Sequence, residues 1–201
     1  MSRVIRHTSL AVLCATALLG ACSKGDATAD SARMADSMMA TTPAAPATAP
    51  AAAPMTDANI MAALDAANVH DSTTGGMAAS KGTSAEVKSF GRDLMRDHHA
   101  LRKAGQDLAK KLNVTAEPMA GDNSMAMNMA VADSMSATPA GAAWDKFYID
   151  HSIMHHEKVL ATAQAAIGAT QNAEVKALLE KAAPNVQAHL ERARSIQSKL
   201  Q

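Results

Sequence analysis

Only two cysteines occur in the 201-residue chain, Cys14 and Cys22. Cys14 lies in a segment that export would remove, so no intramolecular disulfide is available and stability must come from packing. Aromatics are equally scarce: Phe90, Trp144, Phe147 and Tyr148 are the whole set, which makes the core one of Ala, Leu and other small residues. Basic and acidic side chains balance at 19 each, and no basic stripe favours nucleic acid. Glycine-rich phosphate loops are missing, and Ser and Thr crowd into low-complexity stretches rather than beside a base and its orienting partner. The apolar run from Leu10 to Leu19 is too short to span a bilayer.

That run follows Arg3 and Arg6 and ends in small residues, the layout of an export signal over residues 1–21. Its end, "LGAC" from Leu19 to Cys22, resembles a bacterial lipobox, which implies lipidation of Cys22. The absence of Asp after that cysteine then implies an outer-membrane lipoprotein facing the periplasm, anchored by its N-terminal lipid. An ordinary secretory signal, leaving a soluble periplasmic protein, is the alternative.

Residues 22–55 are Ala, Thr, Pro and Ser with almost no large apolar side chain, and such a stretch reads as a disordered tether. A second low-complexity segment, 115–141, contains Met125, Met127 and Met129 and shares a phrase with the tether, "VADSMSATPAG" against "MADSMMATTPA". It reads as a flexible Met-rich insert. Its thioethers suit Cu(I), although Met as a mere filler of low-complexity sequence explains them too.

What remains has helical periodicity. Ile60, Leu64, Ala67, Asp71, Thr74 and Ala78 share one face; so do Val87, Phe90, Leu94, His98, Leu101, Gly105, Leu108 and Leu112. A third face carries Ile149, Ile153, His156, Leu160, Ala163 and Ile167, and a fourth Val175, Leu179, Ala182, Val186, His189, Ala193, Ile196 and Leu200. Gly82, Asn113 and Gly168 are helix stops, and "TSAE" from Thr83 to Glu86 is a capping box. Pro184 predicts a kink in the last helix, and Gly75 and Gly76 a close helix approach. The expected fold is all-α: a four-helix bundle of two antiparallel hairpins joined by the insert, one domain over residues 56–201.

Four polar residues interrupt the apolar faces, one per helix: Asp71, His98, His156 and His189. A buried imidazole needs a hydrogen-bond partner or a metal, since leaving it unpaired costs on the order of 1–3 kcal/mol. Counting about 1.5 Å per residue from the turns brings Asp71, His98 and His156 to one depth if both turns lie at one end. On that count His189 falls roughly 10 Å away; turns at opposite ends would change which layers coincide. The four residues make a candidate transition-metal site of imidazole and carboxylate ligands for Fe, Cu or Zn. The competing reading is a buried polar layer that fixes register. Met95, Ile153 and Val186 stand where Glu-x-x-His would need glutamate, which argues against a ferritin-type di-iron oxidase.

His151 and His155, four apart with Met154 beside them, can chelate a metal from the surface, but a solvated face accounts for them as well. The wheel turns His99 and His155 about 100° away from their inward neighbours.

Three stretches, "EVKSFGRDLMRDHHALRKAGQDLAKKL", "WDKFYIDHSIMHHEKVL" and "APNVQAHLERARSI", resemble the domain of unknown function 4142 family. The resemblance covers residues 56–201 apart from the insert and is carried by the Asp-His of the second helix, Asp145, Tyr148, His156 and the segment from Pro184 to His189. It implies exported, outer-membrane, ferritin-like proteins without an established reaction. The family usually has Glu where Asp71 stands, and a Met-rich insert is not typical of it. Together these features point to a membrane-anchored bundle that binds a transition metal or serves as an envelope-stress binding module. A metal-dependent redox or hydrolytic enzyme, and a purely structural bundle, are the alternatives.

Overall fold

The computed structural model describes residues 55–200. The export signal, Cys22 and the tether up to residue 54 lie outside them. Among the described residues there are five helices and no strand: α1 (Asp57–Lys81), α2 (Ala85–Leu112), α3 (Ser124–Ala137), α4 (Ala142–Ala169) and α5 (Ala173–Gln197). None is long and apolar enough to cross a membrane.

Local chemistry sets the ends. Thr56 and Asn59 form a reciprocal capping box at the start of α1. Gly82 ends that helix as expected; a Cβ there would lie 2.7 Å from the Ala78 carbonyl oxygen. The expected Thr83–Glu86 box at the start of α2 is replaced by another device. Ser84 is the N-cap and its hydroxyl accepts from Glu86 N at 3.2 Å. The buried carboxylate of Asp145, reaching over from α4, accepts from Thr83 N, Thr83 Oγ1 and Ser84 N at 2.9, 2.7 and 2.7 Å. A carboxylate at a helix N-terminus satisfies free N–H groups and faces the positive end of the dipole. Asn113 closes α2 in the left-handed conformation, φ 52°. Gly168 does not stop α4, which continues to Ala169 and is capped at Thr170. The last helix runs without a break through Pro184.

Pairwise contacts give the topology. Asn68 meets His98 and Asp65 meets Arg102, so α1 and α2 are antiparallel. Asp57 meets Thr170, His70 meets His151 and Asp145 meets Thr83, so α4 runs antiparallel to α1 with the turn at 170–172 beside the start of α1. Gln197 binds Asp150 and Arg194 binds Glu157, pairing α4 with α5; Lys199–Glu86, His189–Asp97 and Lys111–Glu174 pair α5 with α2. The two hairpin turns therefore sit at opposite ends of the helical bundle. Residues 113–141 carry the chain from one end back to the other.

This return segment is not the structureless insert the composition suggested, because its middle is helix α3. Partners at both ends secure it. Trp144 Nε1 donates to Met135 O at 2.8 Å, and Lys81 Nζ donates to Met135 O and Ser136 O at 2.9 and 2.6 Å, satisfying carbonyls of the last turn. Near the other end Asn59 Nδ2 donates to Glu117 O and Glu117 N to Ala58 O. Met135 is fully buried against Trp144. One buried methionine and borrowed donors substitute for the missing apolar stripe.

The core is divided. One cluster, around Val87, Phe90, Leu94, Trp144, Tyr148 and Ile196, lies toward the α1–α2 turn. The other, around Ile60, Met61, Ala166, Val175 and Leu179, lies toward the α4–α5 turn. Between them the buried residues include Asn68, His70, Asp71, His98, Ser152, His155, His156 and His189.

The close approach expected of the glycine pair is real, but Gly75 makes it with Gly91 rather than with Gly76. A Cβ on Gly91 would lie 2.5 Å from Gly75 O and 2.8 Å from Ala79 N, whereas one on Gly76 meets only Met95 Sδ at 3.6 Å. Gly91→Ala should destabilise the domain by about 1–3 kcal/mol through forced separation of α1 and α2. Gly76→Ala should be neutral or stabilise by up to about 1 kcal/mol. Urea denaturation of the two variants beside the parent checks the contrast.

Candidate metal centre

Three of the inward histidines converge. His98 from α2, His156 from α4 and His189 from α5 are buried, and each offers a ring nitrogen such that the three lie within 4.8 Å of one another. Their ring centroids are 5.2–5.7 Å apart. The depth count that set His189 apart from His156 took Gly168 as the turn; α4 runs on to Ala169 and α5 starts at Ala173, which leaves the two histidines only about 5 Å apart in depth.

Each ring is held by its other nitrogen. His98 Nδ1 pairs with Asn68 Oδ1 at 2.9 Å, His156 Nδ1 with Ser152 O at 2.8 Å and His189 Nε2 with Asp97 Oδ2 at 3.1 Å. All three acceptors are oxygens, so these nitrogens donate and the opposite nitrogens present lone pairs. Those opposite atoms, His98 Nε2, His156 Nε2 and His189 Nδ1, are buried and have no hydrogen-bond partner. Rings oriented from outside while aiming lone pairs at one another are the donor pattern of a histidine metal site. A four-coordinate ion would place ligand nitrogens about 3.3 Å apart given metal–nitrogen bonds near 2.0–2.1 Å, which small side-chain rotations can reach.

Asp71 does not join the trio. Its side chain stands beside it, Oδ2 lying 3.6 Å from His98 Nδ1 and 3.5 Å from His155 Nε2, with no hydrogen-bond partner within normal distance. The residue is 2% exposed. Burial works to raise its pKa, but the surrounding imidazoles of His156, His98 and His155 outweigh that and hold the carboxyl below its usual range.

Beyond Asp71 lies a second histidine group that the helical wheel did not find. His70 from α1 and His151 and His155 from α4 each offer a ring nitrogen within 4.8 Å of the others. His70 Nε2 is 2.7 Å from His151 Nε2, and the His70 and His155 rings are 4.5 Å apart at their centroids. The expectation that His151 and His155 occupy a solvated face is corrected: His155 is 8% exposed and His151 half-buried. The apolar residues Ile153, Leu160 and Ala163 drew the stripe of α4 toward α5, whereas Tyr148, Ser152 and His155 bury a second flank. Asn68 and Asp97 were likewise overlooked, being ordinary polar residues until a ring is found opposite them. Adjacent polar pairs, His70-Asp71 and His155-His156, were the available signal, since neighbours 100° apart face two different walls of a bundle. Met154, Met125, Met127 and Met129 are all more than half exposed.

Burial lowers the pKa of His70, His98 and His151 to about 4 and pushes that of His156 down as well. At neutral pH these rings are therefore uncharged, as ligands must be. The unfolded chain protonates its histidines near 6.5 while the folded one resists until about 4, so the unfolded state binds more protons across that window. In metal-free protein, stability should hold above pH 6.5 and fall as pH drops toward 4. The slope should be up to about 1.4 kcal/mol per pH unit for each such histidine. Asp71 adds its loss only below its ordinary carboxyl range. Urea melts between pH 7.5 and 4, with His98→Gln flattening the slope, check this.

One solved structure of similar fold is that of "CopM in the Cu(II)-bound form", with a TM-score of 0.62, 18% identity, and coverage of 74% of this chain and 100% of that one. At that identity the likeness shows the fold alone. No curated protein matches the chain. The family described as "Domain of unknown function (DUF4142)" matches residues 41–196, most of the chain and all of the histidine layer. This chain belongs to the domain of unknown function 4142 family.

Proposed function

We propose that the protein is an exported transition-metal-binding protein, with copper its preferred ion and His98, His156 and His189 its inner ligands. The carrying observation is that three buried ring nitrogens without partners face one another while their opposite nitrogens are all engaged. Neutral imidazoles suit copper, zinc and iron, and the affinity order of divalent ions puts Cu(II) first for such a donor set. The fold likeness to CopM, solved in its Cu(II)-bound form, supports the same choice. Bound metal would supply Lewis-acid or redox capacity. The protein's own part is to orient the rings through Asn68, Ser152 and Asp97 and to enclose them between two apolar clusters.

Opposed hairpin turns with one long return segment favour a ferritin-like order for the four long helices. The Glu-x-x-His pattern of di-iron members is missing, which favours binding over oxidase turnover. The "LGAC" stretch supports lipidation at Cys22 and a seat on the outer membrane facing the periplasm.

Metal-free protein given Cu(II), Zn(II), Fe(II) or Mn(II) and then desalted should retain copper most strongly, and copper should raise its melting temperature. His98→Ala and His156→Ala should abolish tight retention while keeping helical circular dichroism. Asp97→Asn should weaken it about 10- to 100-fold by releasing the His189 ring. Retention unchanged in both alanine variants would leave only a structural polar layer.

For the anchor, fractionation of cells should find the parent protein in the outer membrane and Cys22→Ala in the soluble fraction. Equal distribution of the two would refute lipidation.

A further inference from the structure

The second histidine group has the makings of a site in its own right. His151 and His155 are four apart on α4 and present their rings on one helical face; His70 faces them from α1. The three donors lie within 4.8 Å, the same closeness as the inner trio. His155 Nε2 is buried without a partner, and Asp71 Oδ2 stands 3.5 Å from it. A fourth donor, of opposite charge, is thus at hand.

Asp71 lies between the two histidine groups. It is a buried carboxylate whose Oδ2 has no hydrogen bond and whose nearest polar groups are ring nitrogens on either side, His98 Nδ1 and His155 Nε2. Among the described residues no Lys or Arg pairs with it. An isolated buried charge is costly unless paired or coordinated. Access differs between the two groups: His151 is half-buried, and His155 forms part of the wall of an open apolar cleft of about 400 Å³ between α1 and α4.

We infer that His70, His151 and His155, with the Asp71 carboxylate, form a second transition-metal site, so that the chain holds two ions on opposite sides of Asp71. The outer site exchanges with solvent, and the inner one is enclosed. The inference uses the inner trio only for the coupling through Asp71; the outer ligand set stands on its own geometry. Two ions on either side of Asp71 repel each other, so the outer ion binds more weakly when the inner position is filled.

Elemental analysis and competitive Cu(II) titration of the full chain after gel filtration provide the test. The parent should bind two Cu(II) ions per chain with separable affinities and two overlaid electron paramagnetic resonance signals. His70→Ala with His151→Ala should leave one ion, the tighter. His98→Ala with His156→Ala should also leave one, the weaker, and Asp71→Asn should weaken both. Circular dichroism confirms that each variant is folded, and the paired substitutions His70→Gln with His151→Gln serve where alanine does not fold. A parent stoichiometry of one, unchanged by the His70 and His151 substitutions, would overturn the second site and leave the inner one standing. Loss of only the outer ion's signal in those variants, with none lost in the His98 and His156 pair, would instead uphold the second site and sink the inner one.

Discussion

A single buried carboxylate, Asp71, organises the middle of this protein. Its Oδ2 lies within 3.6 Å of ring nitrogens on two sides, in a layer where burial keeps most imidazoles neutral. A carboxylate in apolar surroundings favours protonation or a counter-charge. Here the ring nitrogens lower its pKa, so the charge persists and the environment must supply positive charge. Among the described residues the rings of His98 and His155 come within 3.6 Å of it, and with His98 uncharged at neutral pH a bound cation would supply that charge. Everything else about the layer, from the capping of each ring to the division of the apolar core, is compatible with holding that charge in place.

The layer is expensive in packing terms. Six imidazoles and an Asp sit where Leu or Ile would contribute about 1.5–3 kcal/mol each by burial, and the two apolar clusters are left to stabilise the fold from either side. Small-residue contacts offset part of that loss. Gly75 against Gly91 brings α1 and α2 close beside the layer, and the buried Asp145 fastens the α1–α2 turn to α4. A bundle that keeps so many polar groups inside, with His98, His156 and His189 each having one nitrogen satisfied and the other free, sacrifices stability for a site. A register-fixing polar layer would instead be expected to pair its members with one another.

Much of this was legible in the sequence. The four long helices follow from 3.6-residue periodicity, and the buried faces of α2 and α5 contain most of the residues that the wheel selected, His98 and His189 included, while Leu101, Leu108, Leu112 and Leu200 are only partly buried. Two things were not legible. Which end of the bundle each turn occupies is not encoded by a linker of unknown shape, and the misplacement of His189 came from putting the α4–α5 turn at Gly168 when the helix runs on to Ala169. A wheel also assigns one inward direction to each helix, whereas α1 and α4 each face two neighbours. His70 and His155 therefore appeared to point away when they point at each other's helix. The helicity of α3 was hidden for a different reason: its stability comes from Trp144, Lys81 and Asn59, residues outside the segment.

The return segment also explains why the layer has the composition it does. A chain that turned back directly after α2 would make α4 antiparallel to α2 and place its start beside the end of α2. Carrying the chain the length of the bundle first makes α4 antiparallel to α1 instead, so that the Asn68–Asp71 stretch of α1 meets His151–His156 of α4. The same passage places Asn128 in the wall of the cleft that His155 also lines. Connection and site are thus one design problem: twenty-odd residues of low-complexity sequence, judged by composition to be filler, determine which histidines share a neighbour. Shortening that passage enough to prevent the crossing would move α4 to another wall and take His151, His155 and His156 away from Asp71, whatever became of the helices themselves.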